Sequence, residues 1–460
     1  MKTKARLTYG PVGKKLFHLT IPMVAGIFAI TAFNLADAYF VAKLGTRELA
    51  ALSFTFPVVM LIGAFTLGLG MGASSVISRA IGEGSHEKVK RHTTDSLFLG
   101  VFIVAVFVAI GMFTIDPLFR FLGAGEEVLP YIRDYMTIWY FGMVMVVVPM
   151  IGNNAIRASG NTKFPAFVMI TAAGINVILD PIFIFGKFGI PRMEIAGAAL
   201  ATVIGRTTTM TLTLAALHFR ERMLEFSIPR LKPMLDSWKK ILYIGLPAAG
   251  TNIFIPLSIA VVTRIVSVFG ESAVAAVGAG FRVESFAMMV IMALSAVLIP
   301  FIGQNWGAGF FERVRLAHKN ASLFSFFWGA FTLLVFVLTA PQIARLFSDD
   351  PKVIQGIIYY LYIAPAGYGL YGITILACAA YNAINYPLRA AGLHSFRMFI
   401  LYIPCAWLGA RLIGLRGVFA GVVVANILSG LVSLYFIRHT LNRHNAEKQP
   451  EFETRLEPVD

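Results

Sequence analysis

Residues 14–42 read KKLFHLTIPMVAGIFAITAFNLADAYFVA. After the lysine pair, the only charged residue in this run is Asp37. At 1.5 Å per residue such a run is long enough to cross about 30 Å of hydrocarbon as one helix. Residues 239–267 read KKILYIGLPAAGTNIFIPLSIAVVTRIVS, so Lys14, Lys15 and Pro22 return as Lys239, Lys240 and Pro247. Working outward at the same spacing, Gly45 falls on Gly270, Ala50 on Ala275, Arg120 on Arg345 and Tyr135 on Tyr360. The stretch from Ile81 to Glu87 falls on Trp306 to Glu312. Towards the ends the register drifts: Asn161 meets Asn385, and Ala196-Gly197-Ala198 resembles Arg416-Gly417-Val418. A repeat of this length reads as a duplicated bundle of membrane helices.

Composition agrees with that reading. The 460 residues are 57% hydrophobic and 14% charged, with mean hydropathy +0.75. A water-soluble fold needs a polar shell that this composition cannot supply, which excludes soluble enzymes and disordered scaffolds. The net charge of +15 is spread over short connections between apolar runs, so it indicates topology and no nucleic-acid partner. Cys378 and Cys405 lie within apolar stretches and suit packing, not a disulfide or zinc framework. The basic N-terminus MKTKARLTYGPVGKK has no small-residue cleavage site and reads as a retained tail. Gly68, Gly70 and Gly72 follow no strand, so they are expected to permit close helix packing. No Walker A or HExxH pattern occurs, so ATP is not the direct energy source, and neither a cofactor nor an enzyme activity is expected.

Twelve apolar spans are predicted: 16–42, 50–78, 95–115, 131–157, 163–186, 195–219, 239–269, 274–304, 319–340, 353–381, 394–412 and 416–438. Lys and Arg concentrate on the connections that share a side with the termini, which places both termini in the cytoplasm. The predicted organisation is an N-terminal six-helix lobe at 1–219, a cytoplasmic linker at 220–238, a C-terminal six-helix lobe at 239–438 and a cytoplasmic tail at 439–460. Six helices begin and end on one side, so the two copies run parallel, related by an axis along the membrane normal. Two such bundles meeting at a cleft form the architecture of an alternating-access transporter.

The chain resembles the multidrug and toxic compound extrusion (MATE) family, and within it the DNA-damage-inducible protein F branch. The resemblance is carried by Pro22 with Asn34-Leu35-Ala36-Asp37 and Leu44-Gly45, and by the Gly-rich second span ending Ile77-Ser78-Arg79-Ala80-Ile81-Gly82. Asn176 to Pro181 (NVILDP), followed by Gly197-Ala198-Ala199-Leu200-Ala201-Thr202, is its most specific passage. It implies an all-α integral membrane protein with a V-shaped pair of six-helix lobes. It further implies multidrug efflux: export of amphipathic, often cationic compounds by exchange for Na+ or H+. The expected setting is the plasma (inner) membrane of a prokaryote, with the lipid bilayer and drug-like small molecules as partners and the monomer as the working unit. A flippase for a lipid-linked precursor is the alternative, which would want a more strongly cationic cleft.

Asp37 and Asp180 lie at similar depth from the outer side, and a carboxylate inside a span reads as functional. Asn34 and Asn176 precede them by three and four residues, on the same helical faces, and Thr202 lies at comparable depth on the sixth span. This set suits a partly dehydrated Na+, held by Asp37, Asp180 and Asn176, or a proton. Val262 stands where Asp37 stands in the other half, and the eleventh span has no acid, so coupling is expected in the first half only. Pro22 is expected to let the first helix bend. Arg282 and Glu284 on the eighth span and Arg264 on the seventh are expected to serve in a structural ion pair, and Asp95 to be solvated at a span end. Asn153 and Met60 match substrate-cavity positions of the family loosely.

Overall fold

The computed structural model describes residues 5–225 and 231–453. All regular structure among the described residues is helical. Among the described residues, twelve helices are long and apolar enough to cross a membrane. They are α1 (Val12–Val41), α2 (Leu49–Gly82), α3 (His86–Phe121), α4 (Leu129–Ala158), α5 (Lys163–Phe185) and α6 (Glu194–Arg220), then α7 (Leu231–Phe269), α8 (Glu271–Gly307), α9 (Phe311–Phe347), α10 (Pro351–Ala383), α11 (Pro387–Ile413) and α12 (Leu415–Arg443). Their number and order are those predicted. Several run further than hydropathy suggests, because a helix continues past the hydrocarbon into polar sequence. Thus α3 begins at His86, nine residues before the apolar run of its span. α1 stays helical through Pro22.

The chain divides into two compact units. The first comprises Ile21–Ala249 and the second Arg6–Thr20 together with the chain from Gly250 onward. The divisions fall inside α1 and α7, beside the repeated prolines Pro22 and Pro247, and not in the connection between the two halves. Polar contacts explain the assignment. In the second unit, the Leu7 amide donates to Gln304 Oε1 at 3.0 Å, and Arg313 donates to the Gly10 carbonyl at 3.0 Å. In the first unit, Trp238 Nε1 on α7 donates to the Asp95 carbonyl at 2.9 Å. His92 Nδ1 meets Ser237 Oγ at 3.0 Å.

These contacts correct the expectation for Asp95. It is buried, at 5% exposure, because α3 extends beyond it and the start of α7 lies over it.

In the first unit α4 is the hub, packing against α2, α3 and α6, with α5 against α6. Ile132, Met136 and Ile151 on α4 and Phe119 on α3 are fully buried in its core. In the second unit the hub is α10, which the repeat aligns with α4; it packs against α8, α9 and α12. Helices in lipid gain little from hydrophobicity and associate through close packing. The glycines of α2 serve this directly. A Cβ on Gly68 would lie 2.4 Å from the Gly245 carbonyl, and one on Gly72 2.4 Å from the Ile241 carbonyl.

Candidate cation-coupling site

Three helices of the first unit bring polar side chains to one level. Asp37 lies four residues from the end of α1, Asp180 five from the end of α5 and Tyr135 six from the start of α4. At 1.5 Å per residue these are depths of roughly 6, 8 and 9 Å. Asp37 and Asp180 lie within electrostatic range of one another, and the Tyr135 hydroxyl stands in the field of both. Asp180 is fully buried, Asn176 is 1% exposed and Tyr135 7%.

α6 closes the cluster from the side of Asn176. A Cβ on Gly205 would lie 2.4 Å from Asn176 Nδ2, so a larger residue there would push the asparagine amide from its place. Asn176 Nδ2 donates back to the Ala172 carbonyl at 2.8 Å, which orients the amide and leaves its oxygen for another partner.

No donor reaches that oxygen. Asp37 Oδ1, Asn176 Oδ1 and both oxygens of Asp180 are buried without a hydrogen-bond partner. Each unmade bond of this kind costs about 1–3 kcal/mol, and more when the group is charged. Four such acceptors in one unit are an environment that a monovalent cation or protons on the acids would satisfy. Among the described residues no group of three or more His, Cys, Asp or Glu could hold a metal ion.

The remaining predicted residues differ in exposure and position. Asn34 is exposed on α1, and Thr202 is half-buried on α6. Asn153 accepts from Thr213 Oγ1 at 3.4 Å and lies eighteen residues along α4 from Tyr135, roughly 27 Å away along the axis. Met60 is exposed on α2. The structure therefore gathers Asp37, Asp180 and Asn176, and places Asn153 and Met60 elsewhere.

One member of the neighbourhood escaped sequence reasoning: Tyr135 was visible only as the residue aligned with Tyr360. On α6, next to Gly205, the Arg206 Nε is buried without a hydrogen-bond partner.

The second unit differs at the equivalent place. Val262 is buried where Asp37 stands in the repeat. Tyr360, the counterpart of Tyr135, donates its hydroxyl to Glu284, as does Tyr368 at 3.3 Å. Arg282 is exposed and forms no ion pair with Glu284, contrary to expectation: residues two apart on a helix point in different directions, and the tyrosines of α10 face Glu284 instead. Arg397 sits in a π-helical turn of α11, Phe396–Tyr402. It donates through Nε and Nη2 to Asn426 Oδ1 at 3.1 and 2.9 Å, and its guanidinium lies 3.8 Å from the Tyr371 ring centre. Glu284 and Arg397 are thus supplied with partners, whereas Asp37 Oδ1 and both Asp180 oxygens are not.

Comparison with known proteins matches this organisation. The pattern of the MatE family fits the chain twice, at residues 22–182 and 247–408. The chain is 38% identical to a FAD transporter of Shewanella oneidensis over 95% of its own length and 96% of that protein. It is 25% identical to the multidrug export protein MepA of Staphylococcus haemolyticus, over 95% of each. Among solved structures, the Vibrio cholerae MATE transporter VcmN in its bent form superposes with a TM-score of 0.90 at 31% identity, covering 95% of this chain and 98% of that one. Two copies of one family pattern on twelve membrane helices, with relatives matched from end to end, establish that the chain belongs to the MATE family of membrane transporters.

Proposed function

We propose that this transporter is a secondary antiporter, exporting amphipathic compounds from the cytoplasm in exchange for Na+ or H+ bound by Asp37, Asp180 and Asn176. The observation that carries the reading is the set of four buried acceptor oxygens without donors on α1 and α5. A bound sodium ion would be coordinated by these oxygens. Protonation would instead turn one carboxylate into a donor for its neighbour, and two acids this close release their protons as a coupled pair. In either case the ion neutralises a buried charge cluster, and its arrival or release changes the stability of the helix arrangement that surrounds it.

A second reading concerns the substrate. The relative at 38% identity is named a FAD transporter, and Arg206 places an unpartnered guanidinium nitrogen in the middle of α6. An anionic, planar dinucleotide fits a cationic group within a helical bundle better than an organic cation does. Purified protein in proteoliposomes, given separately imposed sodium and proton gradients, should move either a fluorescent organic cation or FAD. Uptake driven by only one gradient identifies the ion. Uptake of FAD that is lost in Arg206→Gln identifies the substrate class, and uptake that ignores both gradients refutes the antiporter reading.

A further inference from the structure

The second unit contains a cavity of about 950 Å³ that the transport reading does not use. It is framed by the end of α10, the start of α11 and the end of α12, on the side of the membrane that both termini share. Arg389, His439 and Arg443 contribute its basic groups, and Leu393, Phe396 and Phe436 its apolar wall. No carboxylate lines it among the described residues.

The frame is built, not incidental. Thr440 on α12 is held by the Arg389 guanidinium at 3.0 Å and meets the Tyr381 hydroxyl at 3.1 Å, so one buried hydroxyl ties α10, α11 and α12 together at the mouth. The Arg389 guanidinium lies 4.5 Å from the Tyr386 ring centre, which fixes its plane. The bond to Thr440 uses one of the five donors a guanidinium carries. Beside the opening, Phe436 is 51% exposed and Leu388 65% exposed, on helices whose outer faces meet lipid.

A cavity that is cationic at the membrane surface and apolar towards the bilayer has the polarity of an anionic phospholipid. A soluble phosphate would leave the apolar wall wet, and a neutral lipid would offer no anion to the Arg389 donors that the bond to Thr440 leaves over. We propose that this cavity binds the phosphate headgroup and upper acyl chain of an anionic phospholipid, with Arg389 and Arg443 as the headgroup contacts. Basic pockets between membrane helices on the cytoplasmic side take such headgroups. A lipid seated there would join α10, the hub of the second unit, to α11 and α12.

The test is native mass spectrometry of the full-length protein in detergent, with phosphatidylglycerol, cardiolipin or phosphatidylcholine added. The expected result is retention of the two anionic lipids over phosphatidylcholine. Arg389→Gln and Arg443→Gln should each weaken retention about fivefold, the effect of one basic residue near a membrane surface. Gly392 lines the cavity and has open space beyond its Cα, so Gly392→Phe should plug the site and abolish retention without removing charge. Lys319→Gln, an exposed cation on α9 at the same membrane side, should leave binding unchanged. Equal retention of phosphatidylcholine, equal losses in Lys319→Gln, or undiminished binding in all three cavity variants would overturn the proposal. Displacement of the lipid by inorganic phosphate would do so as well, since it would mark a soluble-anion site.

Discussion

Asp180 and Glu284 are both carboxylates within helices of the bundle, yet their surroundings differ in kind. Two tyrosine hydroxyls donate to Glu284, while both oxygens of Asp180 have no donor. A satisfied carboxylate is at rest; an unsatisfied one is open to an ion. If Asp37 and Asp180 bracket one cation, losing either disables the site. Asp37→Asn and Asp180→Asn should each cut the initial efflux rate at least about tenfold, and the double variant should be no worse than either alone. Losses that add in free energy would indicate two independent structural acids. Asn176→Ala removes one neutral oxygen and leaves both charges, so it should weaken apparent ion affinity about fivefold with little change in maximal rate, from efflux measured against ion concentration. Val262→Leu, at the equivalent place in the second half, should retain transport; a loss as deep as that of Asp37→Asn would show that both halves couple. The acids were legible in the sequence because a charge within an apolar span needs a reason. Tyr135 was not, because a tyrosine is common anywhere in a helical bundle and only the fold shows what its hydroxyl faces.

Among the elements, α11 and α12 make the closest approach that glycine requires. A Cβ on Gly417 would lie 1.9 Å from the Gly409 carbonyl, and one on Gly409 the same distance from the Gly417 carbonyl. Backbones this close can exchange Cα–H···O contacts, and any side chain forces them apart. Gly417→Ala should therefore destabilise the second unit by about 1–3 kcal/mol, seen as a lower unfolding temperature in detergent. Gly278→Ala, on an exposed face of α8 with open space beyond its Cα, should be neutral or slightly stabilising; equal losses at the two sites would sink the packing explanation. The Gly-rich motif of α2 announced close packing in the sequence, but not its partner. That Gly68 and Gly72 meet α7 follows from the placement of Leu231–Ala249 in the first unit. The burial of Asp95 escaped the sequence for the same reason: hydropathy reports where a helix meets lipid, and is silent on polar turns that pack against another helix.

For the whole molecule, the side on which each connection lies follows from the count of spans, and the sign from the distribution of Lys and Arg. With Cys378 and Cys405 replaced by alanine, Lys187→Cys in the α5–α6 turn should react with an impermeant maleimide in intact cells. Ser85→Cys in the α2–α3 turn should react only after permeabilisation. The opposite pattern would invert the orientation. What the sequence by itself determined is the set of properties that local physics imposes: twelve spans, because a helix must be long and apolar to cross lipid; their duplication, because a repeat is written in residue order; and the acids within spans, because burying charge is costly wherever it occurs. What only the tertiary structure decided is which polar groups meet. Asp37 and Asp180 are far apart along the chain and converge because α1, α4 and α5 pack around one level. Glu284 turned from Arg282 to Tyr360 because side chains two residues apart diverge on a helix while those on neighbouring helices can face each other. Partnership between distant residues depends on crossing angles and glycine contacts summed over whole helices, and no local pattern of residues records that sum.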